Sequence, residues 1–121
     1  FNELKQFKEA IHYQNKAIAL KKTLKGDHKR SIDNSINNLG HTYKDSGQYD
    51  LAIKAFSEVL KNKNLINERP YIYVLALDNY AHTLYLSNDY SQLPKLYHKA
   101  LKICDSINAS YKSIIIHQHL A

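Results

Sequence analysis

The chain has 121 residues, of which 44% are hydrophobic and 23% are charged, proportions that are ordinary for one globular domain. Its single cysteine, Cys104, excludes an intrachain disulfide, and no apolar run approaches the roughly 18–20 residues that span a bilayer. The formal net charge of +6 favours anionic partners, but the lysines are spread along the chain, so a solvated surface is preferred to a polyanion site.

In chain order, the first predicted helix covers residues 3–24, and a second covers residues 29–46. A third follows over residues 48–63. Gly47 lies in the break before it and suits the left-handed position that ends a helix. The second helix is predicted from apolar residues that recur with a spacing of three and four, namely Ile32, Ile36, Leu39 and Tyr43.

The next predicted helix covers residues 69–87 and ends at Asn88, which tolerates the same left-handed geometry as glycine. The helix after it runs to about residue 107. Asp89 or Ser91 is expected to cap its first turn, because short polar side chains accept hydrogen bonds from free backbone N–H groups. Cys104 lies in an apolar stretch of this helix, so we interpret it as a core residue rather than a reactive thiol.

Internal repetition is the strongest organising signal. Three pairs of segments match at one or two periods of 41–42 residues: 38–42 with 79–83, 7–11 with 49–53, and 16–20 with 99–103. The single domain, residues 1–121, is therefore divided into the second helix of one repeat, two whole repeats and the first helix of another: 1–24, 29–64, 69–107 and 110–121. Since both ends cut through a repeat, we expect a piece of a longer array with apolar surface exposed at the ends.

The repeated residues resemble a known family. Their order and spacing resemble the tetratricopeptide repeat at Leu39-Gly40, Tyr43, Gly47, Tyr49, Ala52 and Phe56. The resemblance implies an all-α, right-handed superhelical solenoid of antiparallel helix pairs. It also implies a scaffold that binds proteins or peptides, without catalysis and without a cofactor.

The long period is similar to the extended repeats of kinesin light chains and of many bacterial signalling regulators. The alternative function is therefore the sensor region of a signalling protein, either a histidine kinase or a transcriptional regulator, whose output domain lies outside this chain. Small residues are expected where helices cross closely, at Gly40, Ala81, Ala10, Ala17, Ala52 and Ala100.

In this family, exposed positions of each first helix line a concave groove and contact the ligand. The resemblance carries that role to ten residues: Asn34, Asn37, Asn38, His41, Lys44, Asp78, Asn79, His82, Tyr85 and His119. An amide side chain donates and accepts, so it can bracket an extended peptide backbone. The alternatives are that each asparagine bonds a neighbouring helix, and that each histidine serves packing or faces solvent.

Other chemistry is weakly supported. His117 and His119 are two residues apart, so they face different sides of a helix and do not share a metal ion easily. No phosphate-binding loop, nucleophile motif or carboxylate pair is present. We expect no metal and no cofactor. Self-association through the ends or the tyrosine-rich faces is a further hypothesis, and nucleic-acid binding is the least favoured.

Overall fold

A computed structural model describes residues 2–24, 26 and 29–107. Within these ranges the chain forms helices and no strands, so the all-α fold class is confirmed. The described helices are α1 (Asn2–Thr23), α2 (Lys29–Asp45), α3 (Tyr49–Leu60), α4 (Leu65–Glu68), α5 (Pro70–Leu86) and α6 (Leu93–Ile107). None of them is long and apolar enough to cross a bilayer. The chain divides into two compact units, residues 1–59 and 60–121.

In the first unit, α1 packs on α2. Asn15 Nδ2 donates a hydrogen bond to Tyr43 Oη (3.3 Å), and Lys21 Nζ donates one to Ser35 Oγ (2.7 Å). The rest of α1 is largely exposed, and three large apolar side chains lie on its surface: Leu4, Tyr13 and Leu20. Leu24, which directly follows the helix, is exposed as well. Ala17 is exposed as well, so the prediction that it lies at a close helix crossing is wrong.

The crossing of α2 and α3 is close at Gly40. A β-carbon built on Gly40 would lie 2.7 Å from Phe56 Cε1 and 2.9 Å from its Cζ, well inside van der Waals contact. Phe56 is fully buried, so its ring has no free space to move into. The expectation that a larger side chain is excluded at Gly40 is therefore confirmed.

α2 and α5 end in the same way. Gly47 has a φ of +80°, and Asn88 has a φ of +66°, as their sequence positions predicted. The backbone N–H of the next residue donates a hydrogen bond to a carbonyl of the last helical turn. Gln48 N donates to Tyr43 O and Asp89 N donates to Leu84 O, each at a distance of 2.8 Å. This is the Schellman arrangement, in which a left-handed residue lets two carbonyl groups of the last helical turn find donors.

The second unit begins with a helix that was not predicted, α4. It is one short turn that includes the buried Leu65, and its last hydrogen bond runs from Arg69 N to Leu65 O (2.8 Å). α5 then starts at Pro70, whose fixed φ and missing N–H suit the first position of a helix. A single turn leaves no periodic pattern in the sequence, which explains why it was missed.

α5 packs on both α4 and α6. The core side chains of α5 and α6 include Tyr73, Leu77, Ala81, Tyr97 and Cys104, so the interpretation of Cys104 as a core residue is confirmed. The predicted cap of α6 is wrong. α6 begins at Leu93, after Gln92, while Ser91 Oγ donates to Asp89 Oδ1 (3.0 Å) in the preceding loop.

Candidate functional site

The outer face of α2 carries most of the predicted ligand-binding residues of the first unit. Asn38 and His41 are exposed, and Asn34 and Lys44 are half-buried. His41 Nδ1 lies 3.1 Å from Asp45 Oδ2, one helical turn further on. Since both side chains are about half exposed, this pair contributes little to stability, and the other imidazole nitrogen of His41 can serve a ligand.

Asn37 departs from the prediction. It was expected on the exposed face, but it is only 8% exposed. Its Oδ1 atom is buried and has no hydrogen-bond partner among the described residues. A buried acceptor without a donor costs about 1–3 kcal/mol. Asn37 is therefore not part of the exposed face of α2, and its buried Oδ1 lacks a donor among the described residues.

The corresponding residues of α5 are less exposed than those of α2. Asn79 and His82 are half-buried, whereas Tyr85 is exposed and its ring lies against that of Tyr90, with the centroids 5.6 Å apart. Asp78 was also expected to be exposed, but its exposed fraction is 2%. The last turn of α5 therefore presents a tyrosine pair, and the carboxylate is withdrawn into the second unit.

The phenol of Tyr97, in α6, has a perturbed pKa to which Asp78 contributes. Burial of the Tyr97 phenol raises its pKa above the ordinary value of 10.0. The charge of Asp78 and the phenol of Tyr85 raise this pKa further. The charge of Asp78 therefore acts on Tyr97, in the α5–α6 core. It is not presented on the exposed face next to Asn79.

The amide groups of Asn38 and Asn79 are uncommitted. No hydrogen bond of either side chain occurs within the described residues. Their main-chain carbonyl groups do have additional donors: Thr42 Oγ1 donates to Asn38 O (3.1 Å), and Thr83 Oγ1 donates to Asn79 O (2.7 Å). The alternative role of these asparagines, bonding to a neighbouring helix, thus has no hydrogen bond in support of it in the described part of the chain.

Sequence reasoning missed one polar cluster. In the second unit, Lys63 and Lys99 both donate hydrogen bonds to the buried Tyr73. The three residues are 10 and 26 positions apart, so no local pattern links them. The only sequence signal was an apolar helix position that happened to be occupied by tyrosine, which has a hydroxyl group that needs a partner when it is buried.

The remaining predicted site residue, His119, lies outside the described residues, as does the predicted helix of residues 110–121. Within the described ranges, no group of three or more His, Cys, Asp or Glu side chains is placed to hold a metal ion.

Comparison with known proteins gives one match. A family model with the description "Tetratricopeptide repeat" matches residues 1–64, more than half of the 121-residue chain. The matched segment spans α1, α2 and α3, and it contains the close approach of Phe56 to Gly40. A search of curated proteins found no significant match, and a search of solved structures found none.

Proposed function

Because the chain belongs to the tetratricopeptide repeat family, whose members are in general non-enzymatic scaffolds for protein interactions, we propose that it holds an extended peptide segment of a partner protein. The contact surface in this proposal is the outer face of the first helix of each pair. In α2 it consists of Asn34, Asn38, His41 and Lys44, and in α5 of Asn79, His82 and Tyr85.

One observation supports this proposal above the others. The side-chain amides of Asn38 and Asn79 occur at the same register of α2 and α5, and neither bonds within the described residues. A free amide offers a donor and an acceptor, which are the two groups that an extended peptide backbone needs. Such contacts bind the main chain, so they place little demand on the sequence of the peptide.

Asn37 adds a second, weaker support. Its unsatisfied Oδ1 is adjacent in sequence to Asn38, and rotation of the amide by half a turn exchanges the oxygen and the nitrogen. A bound peptide group next to Asn38 would offer Asn37 the partner that it lacks among the described residues.

The test needs a peptide whose affinity can be measured. Selection of 12-residue peptides from a displayed random library against the wild-type chain supplies one, and isothermal titration calorimetry measures its Kd. Asn38→Ala and Asn79→Ala are each expected to weaken binding roughly fivefold, because each removes a hydrogen bond with a net value of about 1 kcal/mol. Asn67→Ala is the matched control, since Asn67 is an exposed asparagine outside α2 and α5.

The proposed surface would be wrong if both variants bound as tightly as the control. In that case the selected peptides would be mapped by crosslinking to the residues that they do contact. A loss for one variant only would confine the contact to α2 or to α5.

Two neighbouring proposals are tested more simply. A sensor role in a signalling protein is suggested by the long spacing of the two helix ends, Gly47 and Asn88, and it requires an output domain encoded in the same reading frame. Self-association is suggested by the exposed apolar side chains of α1, such as Leu20. Light scattering over a concentration series tests it, and a constant monomer mass would exclude it.

A further inference from the structure

Two lysines of the second unit converge on one buried hydroxyl group. Lys99 Nζ donates a hydrogen bond to Tyr73 Oη at a distance of 3.0 Å, and Lys63 Nζ donates one to the same oxygen at a distance of 3.4 Å. Tyr73 is 1% exposed. Because the two ammonium groups share one acceptor, their separation cannot exceed the two hydrogen bonds laid end to end. Two positive charges are thus held close together at the surface of α5 and α6.

In the described part of the chain, no carboxylate balances these two charges. Within the described residues, neither Lys63 nor Lys99 has a carboxylate partner within salt-bridge distance. The ring of Tyr73 does not compensate either. The ammonium nitrogens lie 5.3 and 6.0 Å from its centroid, farther than from the hydroxyl oxygen, so they are at the hydroxyl end rather than over the π-face.

The cluster can donate several hydrogen bonds but can accept almost none. The two lone pairs of Tyr73 Oη accept from the lysines, which leaves its O–H free to donate. Each ammonium group has three N–H bonds and uses one of them here. The cluster therefore offers several converging donors and two positive charges, and its only acceptor is already occupied.

We infer that Lys63, Tyr73 and Lys99 form a binding site for the dianionic phosphate group of a phosphate monoester. A phosphate dianion matches the two positive charges, and its three terminal oxygens accept from several donors at once. A carboxylate offers one charge and two oxygens. Lys63 is exposed and Lys99 is half-buried, so a ligand can reach both ammonium groups.

The surrounding charge supports the same ligand. Lys95 and Lys102 are exposed and lie four residues before and three residues after Lys99 on α6, which places all three on one side of the helix. Their field attracts a dianion towards the cluster. The cluster shares no residue with the surface of the proposed peptide contact, so this inference goes beyond that contact and does not depend on it.

The first experiment is a titration with inorganic phosphate at pH 7.5, with ionic strength held constant by chloride, followed by the backbone amide signals of the isotope-labelled chain. Saturable shifts are expected at Lys63, Tyr73 and Lys99. Lys99→Gln and Lys63→Gln are expected to weaken the binding roughly tenfold, because each removes a charge-assisted hydrogen bond. Lys54→Gln, which removes an exposed lysine of α3, is the matched control and is expected to stay within about twofold of the wild type.

A second arm distinguishes the source of the phosphate. An alanine–phosphoserine–alanine peptide, its unphosphorylated counterpart and inorganic phosphate are compared under the same conditions. Tighter binding of the phosphopeptide than of phosphate would assign the site to a phosphorylated protein, and equal binding would assign it to a small phosphate compound. Binding of the unphosphorylated peptide at the same residues would overturn the inference.

Thermal unfolding provides the check on folding. If the two lysines repel each other in the absence of an anion, Lys99→Gln is no less stable than the wild type in chloride, and phosphate raises the Tm of the wild type and of Lys54→Gln more than that of Lys99→Gln. If the lysines serve only to cover Tyr73, Lys99→Gln loses stability in chloride, and phosphate raises its Tm as much as it raises that of the wild type. The second result, or shifts that increase linearly without saturation, would overturn the inference.

Discussion

The pairs α2–α3 and α5–α6 share their backbone turns and differ in the side chains that fill them. Gly47 and Asn88 adopt the same left-handed conformation, with the same hydrogen bonds behind them. At the close crossing, the first pair has Gly40 against the ring of Phe56. The equivalent positions 41 residues later are the buried Ala81 and Tyr97.

This difference shows which requirements of the two pairs are strict. A left-handed residue must follow the last turn of the first helix, and glycine or asparagine meets that need. The residues at the equivalent positions of the crossing differ: glycine with phenylalanine in the first pair, and alanine with tyrosine in the second. The hydroxyl group of Tyr97 then lies in the field of Asp78, as the raised pKa of Tyr97 reflects.

The largest expected effect follows from the glycine. Gly40→Ala places a methyl group within 3 Å of the Phe56 ring, and overpacking of this kind costs about 1–3 kcal/mol. The gain of about 1 kcal/mol in helix propensity opposes this cost but does not cancel it, because Phe56 is fully buried. Urea unfolding is expected to show a lower free energy of unfolding for Gly40→Ala.

The control for this effect is a double variant in which the contact between residues 40 and 56 is relieved. In Gly40→Ala with Phe56→Leu, the smaller side chain leaves room for the methyl group, so the double variant should be more stable than the sum of the two single changes predicts. Strict additivity would mean that the ring does not limit the size of residue 40.

These residues also show how much of the structure can be predicted from the sequence. The ends of α2 and α5 were predictable because a left-handed turn depends on local backbone geometry, and Gly47 and Asn88 are residue types that adopt this geometry readily. The site was less predictable. The family resemblance placed Asn37 and Asp78 on the exposed face, but their burial depends on side chains from elsewhere in the fold. The convergence of Lys63 and Lys99 on Tyr73 joins positions that no periodicity connects.

A smaller effect is expected at the two helix ends. Gly47→Ala forces a β-carbon into the left-handed region at a cost of about 1 kcal/mol, and Asn88→Ala should lose somewhat less because asparagine already has part of that strain. Asn88→Gly is expected to raise the free energy of unfolding by a few tenths of a kcal/mol. Urea unfolding of the three variants measures the order, and a stabilised Gly47→Ala would contradict the shared geometry.

The smallest expected effect on stability concerns Tyr97. It is absent at neutral pH and appears only in alkaline solution. Burial, together with Asp78 and Tyr85, holds the pKa of Tyr97 above its ordinary value of 10.0 in the folded state. From about pH 10 upward, the unfolded chain loses this proton more readily than the folded protein. The stability from the retained proton is complete below that pH and is lost as the pH rises towards the folded-state pKa.

Tyr97→Phe removes this contribution, so its free energy of unfolding should fall less steeply than that of the wild type above pH 10, by at most about 1.4 kcal/mol per pH unit. Urea unfolding between pH 8 and pH 11 measures the two slopes. Tyr13→Phe is the control: Tyr13 is 66% exposed, so its loss should leave the wild-type slope in place. Because Phe56 holds the equivalent position of the first pair without a hydroxyl group, equal slopes for Tyr97→Phe and the wild type would mean that the two crossings differ in shape alone. A shallower slope would show that the second pair has a titrating group in its core.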